Sequence, residues 1–183
     1  TGAGMSAESG IPTFRDALTG LWQRFDPMQL ASMEGYEADP PLVWGWYEWR
    51  RQKVMQATPN AGHRAIAEFA CNAKPRAITV VTQNVDDLHE RAGSKDVVHL
   101  HGSILSPRCF DCATPAGDAL VSTVPDEPDG GRRLLPPRCA ACNGPMRPGV
   151  VWFGEPLPAV PFDRATRLAQ TAEVFVVVGT SGL

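Results

Sequence analysis

Long apolar runs are missing from this sequence: no window approaches the roughly 20 residues that a membrane-spanning helix needs. No signal-peptide pattern is visible either. An excess of charge of one sign is also missing. The 17 basic and 20 acidic residues leave a formal net charge of -3, and Arg50, Arg51 and Lys53 do not extend into a basic stripe, so nucleic-acid binding is not expected. The dinucleotide fingerprint is incomplete, because no third glycine follows Gly2 and Gly4 at the required spacing. Histidine is scarce, with four residues in the chain. The five cysteines are an odd number, which argues against a fully disulfide-bonded secreted scaffold.

What is present is organised around residues 77–102. Ile78 to Thr82 is a short β-branched run of the length and composition of a buried parallel strand. It stops at Gln83-Asn84-Val85-Asp86, where amide and carboxylate side chains crowd the end of the strand. Asp86 can cap the segment Asp87 to Ala92, which stops at Gly93. A second apolar run, Val97 to Leu100, delivers His99 and His101 just before a glycine. Ligands of open α/β sheets bind outside the carboxyl ends of the strands, so these two ends read as a site. At 183 residues the chain can bury one good core with a small appendage.

The flanking segments are less explicit. Gly2, Ala3 and Gly4 allow a tight turn and close approach of phosphates to backbone N–H groups, or form an ordinary surface turn. Arg15, beside Phe14, could meet a phosphate or be solvated. The pattern between Pro27 and Ala57 is helical, with Asp39 a cap and Pro40-Pro41 a start. Tyr47 and Arg50 share a face of that helix at i and i+3, but Arg51 can approach the same face, so spacing does not select between the arginines. Pro59 to Cys71 reads as a second helix capped by Asn60, with Ala61, Ala65, Ile66 and Phe69 apolar, His63 structural or solvated, and Cys71 a packed thiol. Phe162 to Gln170 reads as a short helix. Glu173 to Val178 reads as another buried strand, followed by Gly179, Thr180 and Ser181.

Cys109-x-x-Cys112 and Cys139-x-x-Cys142 form the motif with the most definite chemistry. Four thiolates suit a closed tetrahedral Zn²⁺ site, and the Pro-, Gly- and Asp-rich stretch between the pairs has little apolar surface with which to hold itself together. A pair of redox dithiols is the rival reading.

In order, GAGMSAESGIPTFR at 2–15, TQNVDDLHERAG at 82–93, HLHGS at 99–103, the four cysteines, VVWFGE at 150–155 and VVVGTS at 176–181 resemble the sirtuin family of NAD-dependent protein deacylases. The resemblance implies an α/β fold: a Rossmann-like parallel sheet formed by 1–26, 77–107 and 147–183, a helical segment of the small domain at 27–76, and a zinc-binding module at 108–146. It also implies a chain truncated at both ends. By the same resemblance Gly2, Ala3, Gly4, Phe14 and Arg15 belong to the loop over the cofactor's phosphates. Gln83, Asn84 and Asp86 organise the nicotinamide ribose, and Gly179, Thr180 and Ser181 line the adenosine side. The HG motif picks His101 over His99 as the general base, and Asn84 is assigned to catalysis beside it.

Val150, Val151, Trp152 and Phe153 are expected to flank an acyl-lysine peptide. The implied reaction transfers an acyl group from lysine to ADP-ribose, releasing nicotinamide. Tyr47 and Arg50 match the Tyr-x-x-Arg pair of the desuccinylase-like sirtuins, and Ala31 matches a small residue that widens their acyl pocket. Succinyl, malonyl and glutaryl lysine are therefore the expected substrates, with weaker deacetylation. The implied partners are acyl-lysine proteins or peptides and no membrane, with the enzyme a monomer, cytoplasmic in a bacterium or mitochondrial in a eukaryote. Mono-ADP-ribosyl transfer and an inactive zinc-containing peptide-binding fragment are the alternatives.

Overall fold

Helix α4, Pro40–Gln56, is the element on which the rest packs. Its start follows capping chemistry: Asp39 accepts the Leu42 N–H at 3.2 Å, and proline occupies the first turn. Leu42 through Glu48 are buried without a break, so this helix is enclosed rather than amphipathic. Val43, Trp46, Tyr47 and Val54 join Leu30, Tyr36, Ile104 and Trp152 in the main core. The opposite side sets Trp44 against Cys109, Cys139 and Met146. Each large side chain buried in this way stabilises the fold by roughly 1.5–3 kcal/mol. Glu48 is drawn into the same burial and is matched by Arg51 through two hydrogen bonds of 3.1 and 2.6 Å.

The computed structural model describes residues 1–11, 13, 26–72, 77–117 and 133–180. The chain opens with a short helix α1, Gly4–Ala7, where the sequence suggests only a turn. Two short helices, α2 Pro27–Leu30 and α3 Met33–Ala38, precede α4; Asp26 and Gln29 form a capping box on the first, and Ser32 caps the second. In α5, Ala61–Asn72, the Asn60 side chain accepts from the N–H groups of Gly62 and His63. The buried residues of α5 are His63 and Ala67, a narrow i, i+4 face that leaves out the apolar Ala61, Ala65, Ile66 and Phe69. Cys71 is exposed, so the expectation of a packed thiol is corrected; it lies in the last turn, near the exposed Phe69, off the face that packs.

Strands β1, Val80–Thr82, and β2, Val97–His99, pair in parallel, with Thr82 opposite His99. Between them runs α6, Leu88–Arg91, which ends where Gly93 adopts φ +106°. The Arg91 guanidinium donates to the carbonyls of Val54 and Ala57 at the end of α4, tying the sheet crossover to the central helix. Thr1 lies beside β1, donating to the Val81 carbonyl and accepting from the Gln83 N–H. Helix α7, Ala159–Thr171, packs on β2, with Arg164 bonded to Asp96 at 2.5 Å.

The expected buried strand at 173–178 is not formed. Val174, Phe175, Val176 and Val177 are exposed, because backbone bonding to the start of the chain begins only at Val178 and a β-branched run without a paired edge joins no ladder. The cysteine lobe is joined by β3, Arg108–Cys109, and β4, Met146–Arg147, which pair antiparallel. The whole is a mixed α/β fold with a small four-cysteine module. No helix among the described residues is long and apolar enough to cross a membrane.

Candidate active site and cysteine cluster

The carboxyl ends of β1 and β2 open into a cavity of about 540 Å³. Gln83, Asn84 and Asp86 reach it from the first strand end, and His101 reaches it from the second. Tyr47 and Arg50 of α4 and Ala31 line the same cavity. The arginine ambiguity is thereby resolved: Arg50 faces the cavity, whereas Arg51 is buried and engaged by Glu48. The Arg50 guanidinium carbon stands 4.8 Å from the Trp46 ring and 5.7 Å from the Tyr47 ring.

A buried polar network fixes the β1 end. Ser6 donates to Asp86 Oδ2 at 2.9 Å and accepts from Asn84 Nδ2 at 3.0 Å. Asp86 Oδ1 accepts the Leu88 N–H at 3.1 Å from one residue ahead of the N-cap, Asp87, and Asp86 also lines the cavity. Behind Ser6 lies His63, fully buried, with Nε2 3.5 Å from the serine oxygen. Its Nδ1 accepts the Asn60 N–H, which leaves Nε2 to carry the proton in the neutral ring. His63 is thus structural rather than solvated. Ser6 and His63 are the residues of this network that sequence reasoning did not single out as functional. The one available signal was a hydroxyl and a histidine in segments otherwise rich in small or apolar residues.

The two strand-end histidines are held differently. His99 is a bracket: Nδ1 meets the Asn84 carbonyl at 3.1 Å and Nε2 meets Glu90 at 2.7 Å. His101 is half-buried, and desolvation lowers its pKa below the ordinary imidazole value while a bond to the Gln83 backbone opposes the shift. The turn after it requires glycine, since Gly102 has φ +74° and an added Cβ would lie 2.2 Å from the Gly149 carbonyl oxygen.

The glycine loop serves the fold more than the sequence suggests. The N–H groups of Gly2 and Gly4 donate to the carbonyls of Val178 and Gly179, so those two donors are occupied by the chain itself. A Cβ at Gly2 would sit 2.9 Å from the Gly179 oxygen. Ala3 and Ser6, with Ile11 and Thr13 further along, line the cavity. Thr180 is exposed near Gly2, and Phe14, Arg15 and Ser181 lie outside the described residues. All four residues of the expected peptide-flanking run line the cavity: Val151 is half-buried and Phe153 exposed, and Val150 and Trp152 are buried in its wall.

Cys109, Cys112, Cys139 and Cys142 converge with all four sulfurs within 4.8 Å of one another. The two Cys-x-x-Cys turns repeat one design. Cys109 and Cys139 donate their N–H groups to Thr114 and Gly144, and the residues after the second cysteines, Ala113 and Asn143, take φ +59° and +62°. Backbone N–H groups of Cys112, Ala141 and Gly144 point at the sulfurs of Cys109, Cys139 and Cys142. All four cysteines are unbridged, and together they form a candidate metal site.

The Sir2 family model matches residues 2–183. The chain belongs to the Sir2 family. It is similar to an NAD-dependent protein deacylase of Methylococcus capsulatus, 58% identical over 183 residues that cover all of this chain and 70% of that protein. A solved Sir2 homologue variant in complex with ADP-ribose superposes with a TM-score of 0.84 at 46% identity, covering 100% of this chain and 68% of that one. A further solved Sir2 variant, bound to a p53 peptide and NAD, gives a TM-score of 0.72 at 31% identity over 93% of this chain and 64% of that one.

Proposed function

We propose that this Sir2 chain is an NAD-dependent protein-lysine deacylase that prefers acidic acyl groups, succinyl, malonyl or glutaryl, and removes acetyl more weakly. The observation that carries the acyl preference is the joint presence of Tyr47 and Arg50 in the cavity that holds His101 and Asn84. A guanidinium and a phenol offer charge and hydrogen-bond donors to a terminal carboxylate, and an acetyl methyl uses neither. Ala31 is small at the same wall and leaves room for the longer acyl chain.

The donor set suits the nicotinamide-ribose half of NAD: Gln83 at the mouth, with Asn84 and Asp86 held by Ser6. NAD supplies the ADP-ribose acceptor and the nicotinamide leaving group. Gly2, Ala3, Gly4, Gly179 and Thr180 would border its phosphates and adenosine. His101 gives one ring nitrogen to the Gln83 backbone and keeps the other, neutral near pH 7, to accept a proton from a sugar hydroxyl. Val150, Val151, Trp152 and Phe153, which line the cavity, would border the acyl-lysine peptide. The segments 1–26, 77–107 and 147–183 would act as the NAD domain, with 27–76 and 108–146 as the small domain. The four thiolates would hold one Zn²⁺ in a closed structural site without a position for substrate.

The test is product identity by mass spectrometry with a succinyl-lysine peptide and NAD. O-succinyl-ADP-ribose, nicotinamide and unmodified lysine are expected. ADP-ribosylated acceptor protein, or peptide binding without nicotinamide release, would refute the proposal.

A further inference from the structure

The indole of Trp152 is buried in the wall of the cavity that Tyr47 and Arg50 line. It is 2% exposed and donates from Nε1 to the Tyr47 hydroxyl at 3.0 Å. Indole nitrogen is a donor only, so the direction of this bond is not in question. The phenol oxygen accepts here, and its single proton must point elsewhere. Burial also pushes the Tyr47 pKa up to about 12, with the Arg50 charge opposing, so the phenol keeps that proton at neutral pH.

Trp152 is itself held from two further sides. Its backbone N–H donates to Glu155 Oε2 at 2.8 Å. The Arg147 guanidinium carbon lies 3.6 Å from the centre of its ring. Arg147 is fixed in turn by Glu155 at 2.5 and 2.9 Å and by the Val150 carbonyl at 3.1 Å. A side chain with one donor and this much restraint can set the orientation of the hydroxyl that it meets.

We propose that Trp152 is a specificity-determining residue: by occupying the acceptor side of the Tyr47 hydroxyl, it commits the phenolic proton to an acidic acyl group beside Arg50. The proposal rests on the acidic-acyl reading above. A carboxylate accepts hydrogen bonds and offers none, so it rewards a phenol that presents its proton. A phenol without the indole partner is free to present a lone pair instead, which the carboxylate repels. Trp152 is therefore a positioning residue acting through Tyr47.

The experiment measures kcat/KM on matched succinyl- and acetyl-lysine peptides for the wild type, W152F, Y47F, the double variant and R50M. The succinyl-to-acetyl ratio should fall roughly 3- to 10-fold in W152F, the range of one net hydrogen bond. In the Y47F background W152F should change the ratio no further, because the hydroxyl it orients is gone. Equal losses on both peptides, or the same change of ratio with and without the Tyr47 hydroxyl, would overturn the proposal and leave Trp152 a packing residue. Should R50M abolish a succinyl preference that W152F leaves intact, only the Trp152 assignment falls. A wild type without succinyl preference would remove the acidic-acyl reading and this proposal with it. If W152F loses its fold by circular dichroism, benzothienylalanine at position 152 keeps the ring shape, removes the N–H and carries the same expected outcomes.

Discussion

His101, the proposed base, shows how position alone sets a protonation state. Burial beside the end of β2 lowers its pKa, so the ring is neutral near pH 7, and protonation removes the base as pH falls through that lowered value. The acid limb of kcat/KM should therefore lie below the ordinary histidine pKa of about 6.5. H101A should lose roughly 10²- to 10⁴-fold in O-acyl-ADP-ribose formation. An acid limb above that value, or near-normal turnover in H101A, would contradict the assignment. His99 acts by another route: H99A removes the bracket between Glu90 and the Asn84 carbonyl, so its effect should pass through the Asn84 loop. Arg51 is a poor neutral control for Arg50, because R51M would leave Glu48 buried without its partner, at a cost of about 3–5 kcal/mol.

The two cysteine turns and helix α4 stabilise one another. Trp44 packs on Cys109 and Cys139, Tyr36 donates to the Met146 carbonyl at 2.6 Å, and Arg133 meets Asp39 at the cap of α4. A single zinc per chain is expected by metal analysis, and C139A should lose it and lower the thermal midpoint. C71A, on the outer face of α5, should keep the metal; zinc-free protein with the wild-type midpoint would refute the proposed structural role. Much of this scale was legible in advance. The Asp39 cap, the parallel runs around 80 and 97, the Gly93 stop and the cysteine spacing are local signals with local causes. The 173–178 run misled because strand formation depends on a paired edge, and β-branched residues do not supply one. The choice between Arg50 and Arg51 was illegible because it depends on Glu48 being buried on the other side of the helix. Tyr47 and Arg50 could be paired from i, i+3 spacing, whereas their meeting with His101 needed the tertiary fold.

At the scale of the molecule, the candidate site and the stability of the fold share one buried polar network. His63 and His89 stack with ring centroids 4.8 Å apart, and burial lowers both pKa values, that of His89 from 6.5 to about 4. Above about pH 6.5 both rings are neutral in the folded and unfolded chains, and the network is fully supported. As pH falls from there towards about 4, the unfolded chain takes up protons that the folded one refuses, so stability is lost across that window. The urea midpoint should decline from about pH 7 to about pH 4.5, and a flat profile would contradict the buried neutral pair.

The central claim is that the NAD chemistry at His101 and an acid-reading pair on α4 act on one substrate in one cavity. Its most direct measurement is the succinyl-to-acetyl ratio of kcat/KM in the wild type and in R50M. A desolvated charge pair worth roughly 2–5 kcal/mol predicts a wild type that favours succinyl and an R50M ratio lower by about 10²-fold or more. Equal losses on both peptides would show that Arg50 serves the fold or the cofactor, and the acidic-acyl assignment would fall.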